Sequence, residues 1–208
     1  MLSLLMGPYK NLHSRVIIVS PSVHVDPIWQ VWKDFVRDQY DWAEEETVFD
    51  SYDPDTLREI IDTHKRINQA GNRRHNGRSK CRLFSLCIVY GDMSDGNSFH
   101  NSHGLIAEIF LRHRHYVQAI CPSQKWRSLS TAVGGQACWI CMWPMRSVDE
   151  RKAAISEFVG MYSQKQIETF HEEATKGRFN FMYVNLLAPT REDALSRTLT
   201  TGCCHDFV

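Results

Sequence analysis

"CIVYGDMSDG", Cys87 to Gly96, is an apolar run that ends abruptly at Gly91 and Asp92, with a second acid at Asp95. A strand that stops at carboxylates places them where a buried sheet meets solvent. There they can hold Mg²⁺ directly or through water. Upstream, "RVIIV" (Arg15 to Val19) is another continuous β-branched run, as expected of a strand covered on both faces. Downstream, "YVQAIC" (Tyr116 to Cys121), "ACWICMW" (Ala137 to Trp143) and "FNFMYVNLL" (Phe179 to Leu187) read as further strands.

Helical patterns separate these runs. Asp26 with Pro27 starts one helix, with Ile28, Trp32 and Phe35 on one face. Asp53 with Pro54 starts a second, with Leu57, Ile60, Ile61 and Ile67 as its stripe and Gly71 as its stop. Ser102 reads as the cap of a helix burying Leu105, Ile106, Ile109 and Phe110. Ser147 with Glu150, and Ser163 with Gln166, read as capping boxes for two more, ending at Gly160 and Gly177. Alternation of this kind predicts an α/β fold, a mostly parallel sheet with helices on both faces.

Length and composition fit that expectation. The 208 residues are 43% hydrophobic, enough for one domain core, with Lys+Arg and Asp+Glu at 24 each. The charge is unevenly placed: Asp41 to Asp55 carries seven acids and no base, and "NRRHNGRSKCR" (Asn72 to Arg82) five bases and no acid. Such runs read first as solvated faces. Seven cysteines without regular spacing and no secretory leader point to a reducing compartment, cytoplasmic or nuclear, and "MLSLLMG" is too short to span a bilayer.

Three strand ends carry polar groups suited to phosphoryl chemistry. Asp92 and Asp95 follow the second strand, Ser123, Gln124, Lys125 and Arg127 follow the third, and Arg112 and Arg114 precede the third. A carboxylate can bind a metal, a glutamine can orient water, and cations can neutralise developing charge.

The stretches "SRVIIVSPSVHVDPIW", "FDSYDPDTLREIID", "CIVYGDMSD", "LRHRHY", "SQKWR" and "EEATKGRFNFMYVNLLA" stand in one order across about Ser14 to Ala188. In that order the chain resembles the poxvirus-type DNA-packaging ATPases of large DNA viruses and their protist relatives, within the FtsK/HerA group of P-loop NTPases. The resemblance implies a three-layer, RecA/FtsK-like P-loop core over residues 1–188, with 189–208 as a tail. It also implies ATP and Mg²⁺ as cofactors, double-stranded DNA as partner and a homo-oligomeric ring.

The departures from that family are specific. No Gly-rich loop ending in Gly-Lys-Ser/Thr occurs in the sequence, and the opening "MLSLLMGPYKNLHS" looks like the helix that follows such a loop. The first (Walker A) strand is therefore expected to be missing, leaving the "AICPSQ" and "ACWICMW" strands either closed up or separated by a gap. In the Walker B register, Gly91 replaces the first of two acids and Asp92 keeps the catalytic position, with weak metal capacity. Gln124 matches the residue that senses the γ-phosphate, and Gly134 stands where relatives carry an arginine. Two further readings stay open beside a degenerate ATPase: a non-catalytic DNA-binding or ring subunit using Arg73, Arg74, Arg78 and Lys80, or a decayed viral insertion.

Other tempting groups read as structural. Cys138 and Cys141 have strand spacing that points them to opposite faces. "CCH" (Cys203 to His205) offers too few ligands for zinc, and His100, His103, His113 and His115 do not share one helix face. Trp29 and Trp32 read as packing residues.

Overall fold

The computed structural model describes residues 2–7, 9–10, 12–39, 47–74, 84–91, 93, 97–113, 116–157, 159–160, 162–190 and 192–197. They fall into two compact units, Met1–Ser123 and Gln124–Val208.

In the first unit a four-stranded parallel sheet has the order β2-β1-β3-β4. Its strands are β1 (Arg15–Val19), β2 (Val48–Phe49), β3 (Leu86–Tyr90) and β4 (Val117–Ile120). Every residue of β3 is buried, which is why "LCIVY" is apolar without alternation. β1 and β3 pair from Arg15↔Leu86 to Val19↔Tyr90, and β3 and β4 from Leu86↔Val117 to Val89↔Ile120.

Helices cover both faces. On one, α1 (Leu2–Met6) and α2 (Pro27–Gln39) pack Leu2, Leu5, Trp29, Trp32 and Val36 against Val16, Ile18, Cys87 and Val89. The crossover from β1 to β2 runs opposite to that from β2 to β3, so right-handed connections place α3 (Pro54–Arg74) on the other face. Aromatic contacts of Tyr90 with Tyr52 and Phe99 lie on that side, beside α4 (Asn97–His100) and α5 (Leu105–Glu108). A π-helical turn, Ile109–His113, continues α5 towards β4.

Local signals set the helix starts. Asp26 Oδ1 accepts from Ile28 N at 3.0 Å, and Asp53 accepts from Asp55 N at 3.0 Å and Thr56 Oγ1 at 2.6 Å. The faces differ from the sequence reading. α2 buries Trp29, Trp32 and Val36, leaving Ile28 half exposed, because burying two indoles outweighs burying one isoleucine. α3 buries Leu57, Ile61, His64 and Asn68 and exposes Ile67. It also continues through Gly71 to Arg74, since glycine inside a helix costs only about 1 kcal/mol. Ser102 does not cap α5; Gly104 precedes the helix without a side-chain cap.

The second unit holds a three-stranded antiparallel sheet, order β5-β6-β7, from β5 (Trp139–Met142), β6 (Met182–Asn185) and β7 (Leu195–Ser196). The α/β class and the parallel sheet follow from the alternation read in the sequence, whereas the antiparallel pairing of "WICM" with "MYVN" was not foreseen. α7 (Val148–Ser156) and α8 (Gln164–Ala174) bury Ala154, Ile155, Ile167 and Ala174 against Met142, Met182 and Val184. Ser163 and Gln166 form the full capping box expected. At α7 only half of it forms: Ser147 accepts from Glu150 N, but the Glu150 carboxylate accepts from Arg127 N at 3.0 Å. Gly177 adopts φ 107°, a left-handed conformation suited to glycine, just beyond α8.

β4 and β5 are thus edge strands of different sheets. Among the described residues neither pairs with a further strand on its outer side. No described helix is long and apolar enough to cross a membrane.

Candidate functional site at the carboxyl ends of the parallel strands

From β1 the chain moves one way across the sheet, to β2, and from β3 it moves the other way, to β4. The crevice at the carboxyl ends of β1 and β3 is therefore a topological switch point, the usual ligand position in such sheets. Ser20 follows β1 and Gly91 follows β3. Both strand ends are held by backbone bonds, Gly91 N to Val19 O and Ser20 N to Phe49 O, each 2.9 Å.

Trp29 closes this crevice. The loop after β1 winds tightly, with Ser22 N donating to Ser20 Oγ at 3.3 Å and Asp26 N donating to Ser22 O at 2.8 Å. Ser20 Oγ and Ser22 Oγ lie 3.0 Å apart in a hydrogen bond, and Trp29 Nε1 donates to Ser22 Oγ at 3.1 Å. So anchored, the indole lies over buried Gly91. A Cβ on residue 91 would sit 2.7 Å from Trp29 Cζ2 and 3.1 Å from Ser20 Oγ. Real Cβ atoms do not approach so closely, so the position accepts glycine and an acid there has no room.

The interior beneath is neutral. Burial pushes the Cys87 thiol up to about 12 and raises Cys121 further, so neither is a ready nucleophile. Tyr90 is fully buried with its hydroxyl unpartnered, and burial raises its phenol well above the ordinary value. At the sheet surface, His24 and Asp50 form an exposed pair at 3.9 Å.

The residues singled out from the sequence are distributed unevenly. Asp92, Asp95, Arg78, Lys80 and Arg114 lie outside the described residues. Arg73 and Arg74 stand in the last turn of α3, where the backbone alone is described, and Arg112 is exposed on the π-helical turn. Ser123 is exposed at the end of the first unit. Gln124 and Lys125 open the second unit on exposed backbone, and Arg127 is exposed in a 3-10 turn, Trp126–Ser128. Gly134 is buried in α6 (Thr131–Gly134), its would-be Cβ 3.4 Å from Trp126 Cζ2, so an arginine would have to pass that indole to reach solvent. Cys138 and Cys141 are half-buried thiols.

No protein-family model and no curated protein matches the sequence. Among solved structures the chain is similar to the genome packaging NTPase B204 from Sulfolobus turreted icosahedral virus 2. In complex with ATP-gammaS that protein shows 16% identity and a TM-score of 0.48, over 91% of this chain and 84% of that one. Its AMP complex gives 13% identity and a TM-score of 0.44, over 89% and 96%. At this level of likeness the functional reading rests on the chain's own residues.

Asp92 and Asp95, the carboxylates that would hold the Mg²⁺ implied by the sequence resemblance, lie outside the described residues. At Gly91 there is no side-chain ligand atom, and the Trp29 ring lies where a Cβ would stand. Among the described residues no three His, Cys, Asp or Glu side chains group as metal ligands. What the sequence reading missed is the pairing of Trp29 with Gly91. Its only trace is a tryptophan placed after "SPS" at one strand end, with a glycine at the end of another strand.

Proposed function

We propose that this chain is a genome-packaging, FtsK/HerA-like NTPase domain that is degenerate in ATP hydrolysis. The observation that carries the reading is the indole of Trp29 filling the space of the first Walker B acid at Gly91. Phosphoryl transfer depends on positioning and on charge neutralisation by metal and cations. Losing the metal acid leaves Asp92 and Gln124 as vestiges of base and sensor, with Asp95, Ser123, Lys125 and Arg127 as supporting polar residues. The retained role is that of a non-catalytic ring or DNA-binding subunit, in which Arg73, Arg74, Arg78, Lys80, Arg112 and Arg114 meet the phosphates of duplex DNA.

Two binding measurements test this. Equilibrium dialysis with Mg·ATP is expected to show no saturable binding below about 1 mM, a weak limit of about 4 kcal/mol. Fluorescence anisotropy with duplex DNA is expected to show affinity that falls steeply with salt and weakens on Arg112→Gln. Tight Mg·ATP binding would overturn the degenerate reading, and salt-independent or absent DNA binding would overturn the DNA role.

A further inference from the structure

A cleft of about 360 Å³ opens on the α3 face of the parallel sheet. Its size is within the range of small-molecule sites. Tyr52 and Pro54, after β2, form one wall, and Leu105 at the start of α5 lies opposite. Tyr52 is held in place: its ring meets that of Tyr90 at 6.3 Å and 60°, and Tyr90 in turn meets Phe99 edge-on at 5.8 Å.

The polar lining has one character. Arg58, Ser98, Asn101 and His103 line the cleft, all can donate hydrogen bonds, and among the described residues no carboxylate lines it. Arg58 pairs with Asp55 at 3.7 Å and Glu108 at 3.8 Å, which holds its guanidinium beside the cleft. Asn101 Oδ1 accepts from His103 N at 3.0 Å. That bond orients the amide so that its NH₂ is the end left to donate. Gly104 belongs to the same arrangement, since a Cβ there would stand 3.3 Å from Asn101 Nδ2. Asp53 is spent on the α3 cap.

We infer that this cleft binds a small organic anion with a flat apolar body, its phosphate or carboxylate on Arg58 and Asn101 and its ring against Tyr52 and Pro54. None of the lining residues is Trp29, Gly91, Ser20 or Ser22. A flat ring suits the wall because aromatic faces pack offset or edge-on at ordinary contact distance. The anion suits the donors because guanidinium and amide can bind two oxygens of one oxyanion together.

Titration calorimetry with phenyl phosphate, which is no nucleotide, keeps this inference separate from the packaging reading. Saturable binding is expected, at least tenfold tighter than inorganic phosphate or phenol alone. Arg58→Gln is expected to weaken it at least tenfold. Asn101→Asp, isosteric and at the surface, is expected to do the same by setting a carboxylate against the anion, and it serves if Arg58→Gln fails to fold. Benzoate separates carboxylate from phosphate preference, and either preference agrees with the inference. Absence of binding, or affinity unchanged in both variants, would overturn it.

Discussion

Trp29 and Gly91 are mutually exclusive with any side chain at residue 91: a Cβ there would meet Trp29 Cζ2 at 2.7 Å. The indole is fixed by its hydrogen bond to Ser22 and packs in the core with Trp32 and Val36. Relief therefore requires either moving a buried ring or shifting the ends of two paired strands.

Gly91→Ala should destabilise the protein by about 1–3 kcal/mol, the usual cost of overpacking. Placed on Trp29→Phe, the same change should cost less, with a coupling of at least about 0.5 kcal/mol in a urea-denaturation cycle. Additive effects would show that the two residues do not compete for space.

His13 gives stability a defined pH dependence. It is buried with neither ring nitrogen hydrogen-bonded, its nearest ring neighbour being Tyr9, edge-on at 6.5 Å. Burial holds its pKa at about 4, against 6.5 for the free side chain. A depressed histidine is neutral in the fold and charged in the unfolded chain at intermediate pH. Its contribution is therefore present in full above pH 6.5 and is lost as pH falls towards 4. That difference between folded and unfolded chain corresponds to about 3 kcal/mol over that window. His64 and His171, both lowered first by burial, act with the same sign. Urea titrations from pH 7 to pH 4 should show the loss, and His13→Leu should flatten it.

Asn68 ties α3 to the start of β3. Its amide donates to Phe84 O at 3.0 Å, and its carbonyl accepts from Phe84 N at 2.9 Å. Asn68→Ala strands two partly buried backbone groups and should cost about 1–3 kcal/mol in thermal or urea unfolding. A neutral result would mean that solvent replaces both bonds.

Much of this was legible in the sequence because it is local. Asp26-Pro27, Asp53-Pro54 and the Ser163/Gln166 box each announce a helix start through chemistry within three residues. The buried strands announce themselves through β-branched runs. Helix phase was less legible, since Ile28 and Trp29 are both apolar and only packing against Val16 and Val89 selects the indole. The antiparallel β5–β6 pairing was hidden for a related reason: its register, Trp139↔Asn185 to Met142↔Met182, joins residues forty or more positions apart. At the site, the sequence showed Gly91 ending an apolar strand but not that Trp29 packs against it, a contact spanning 62 positions between two strand ends.

Ser163→Ala should remove the α8 capping box and cost about 1 kcal/mol, read as a lower urea midpoint with unchanged slope. Glu150→Ala tests α7 differently, because that carboxylate holds Arg127 N rather than its own cap. It should loosen the 3-10 turn around Trp126, detectable as faster amide exchange at Arg127.

The most direct measurement is ATP turnover by the 208-residue protein with saturating Mg·ATP, with and without duplex DNA, beside a Gln124→Ala variant. A degenerate domain should give no turnover above the protein-free background in either condition, with the variant indistinguishable from the parent. Turnover near 1 s⁻¹ or faster, ordinary for an enzyme and abolished by Gln124→Ala, would contradict it.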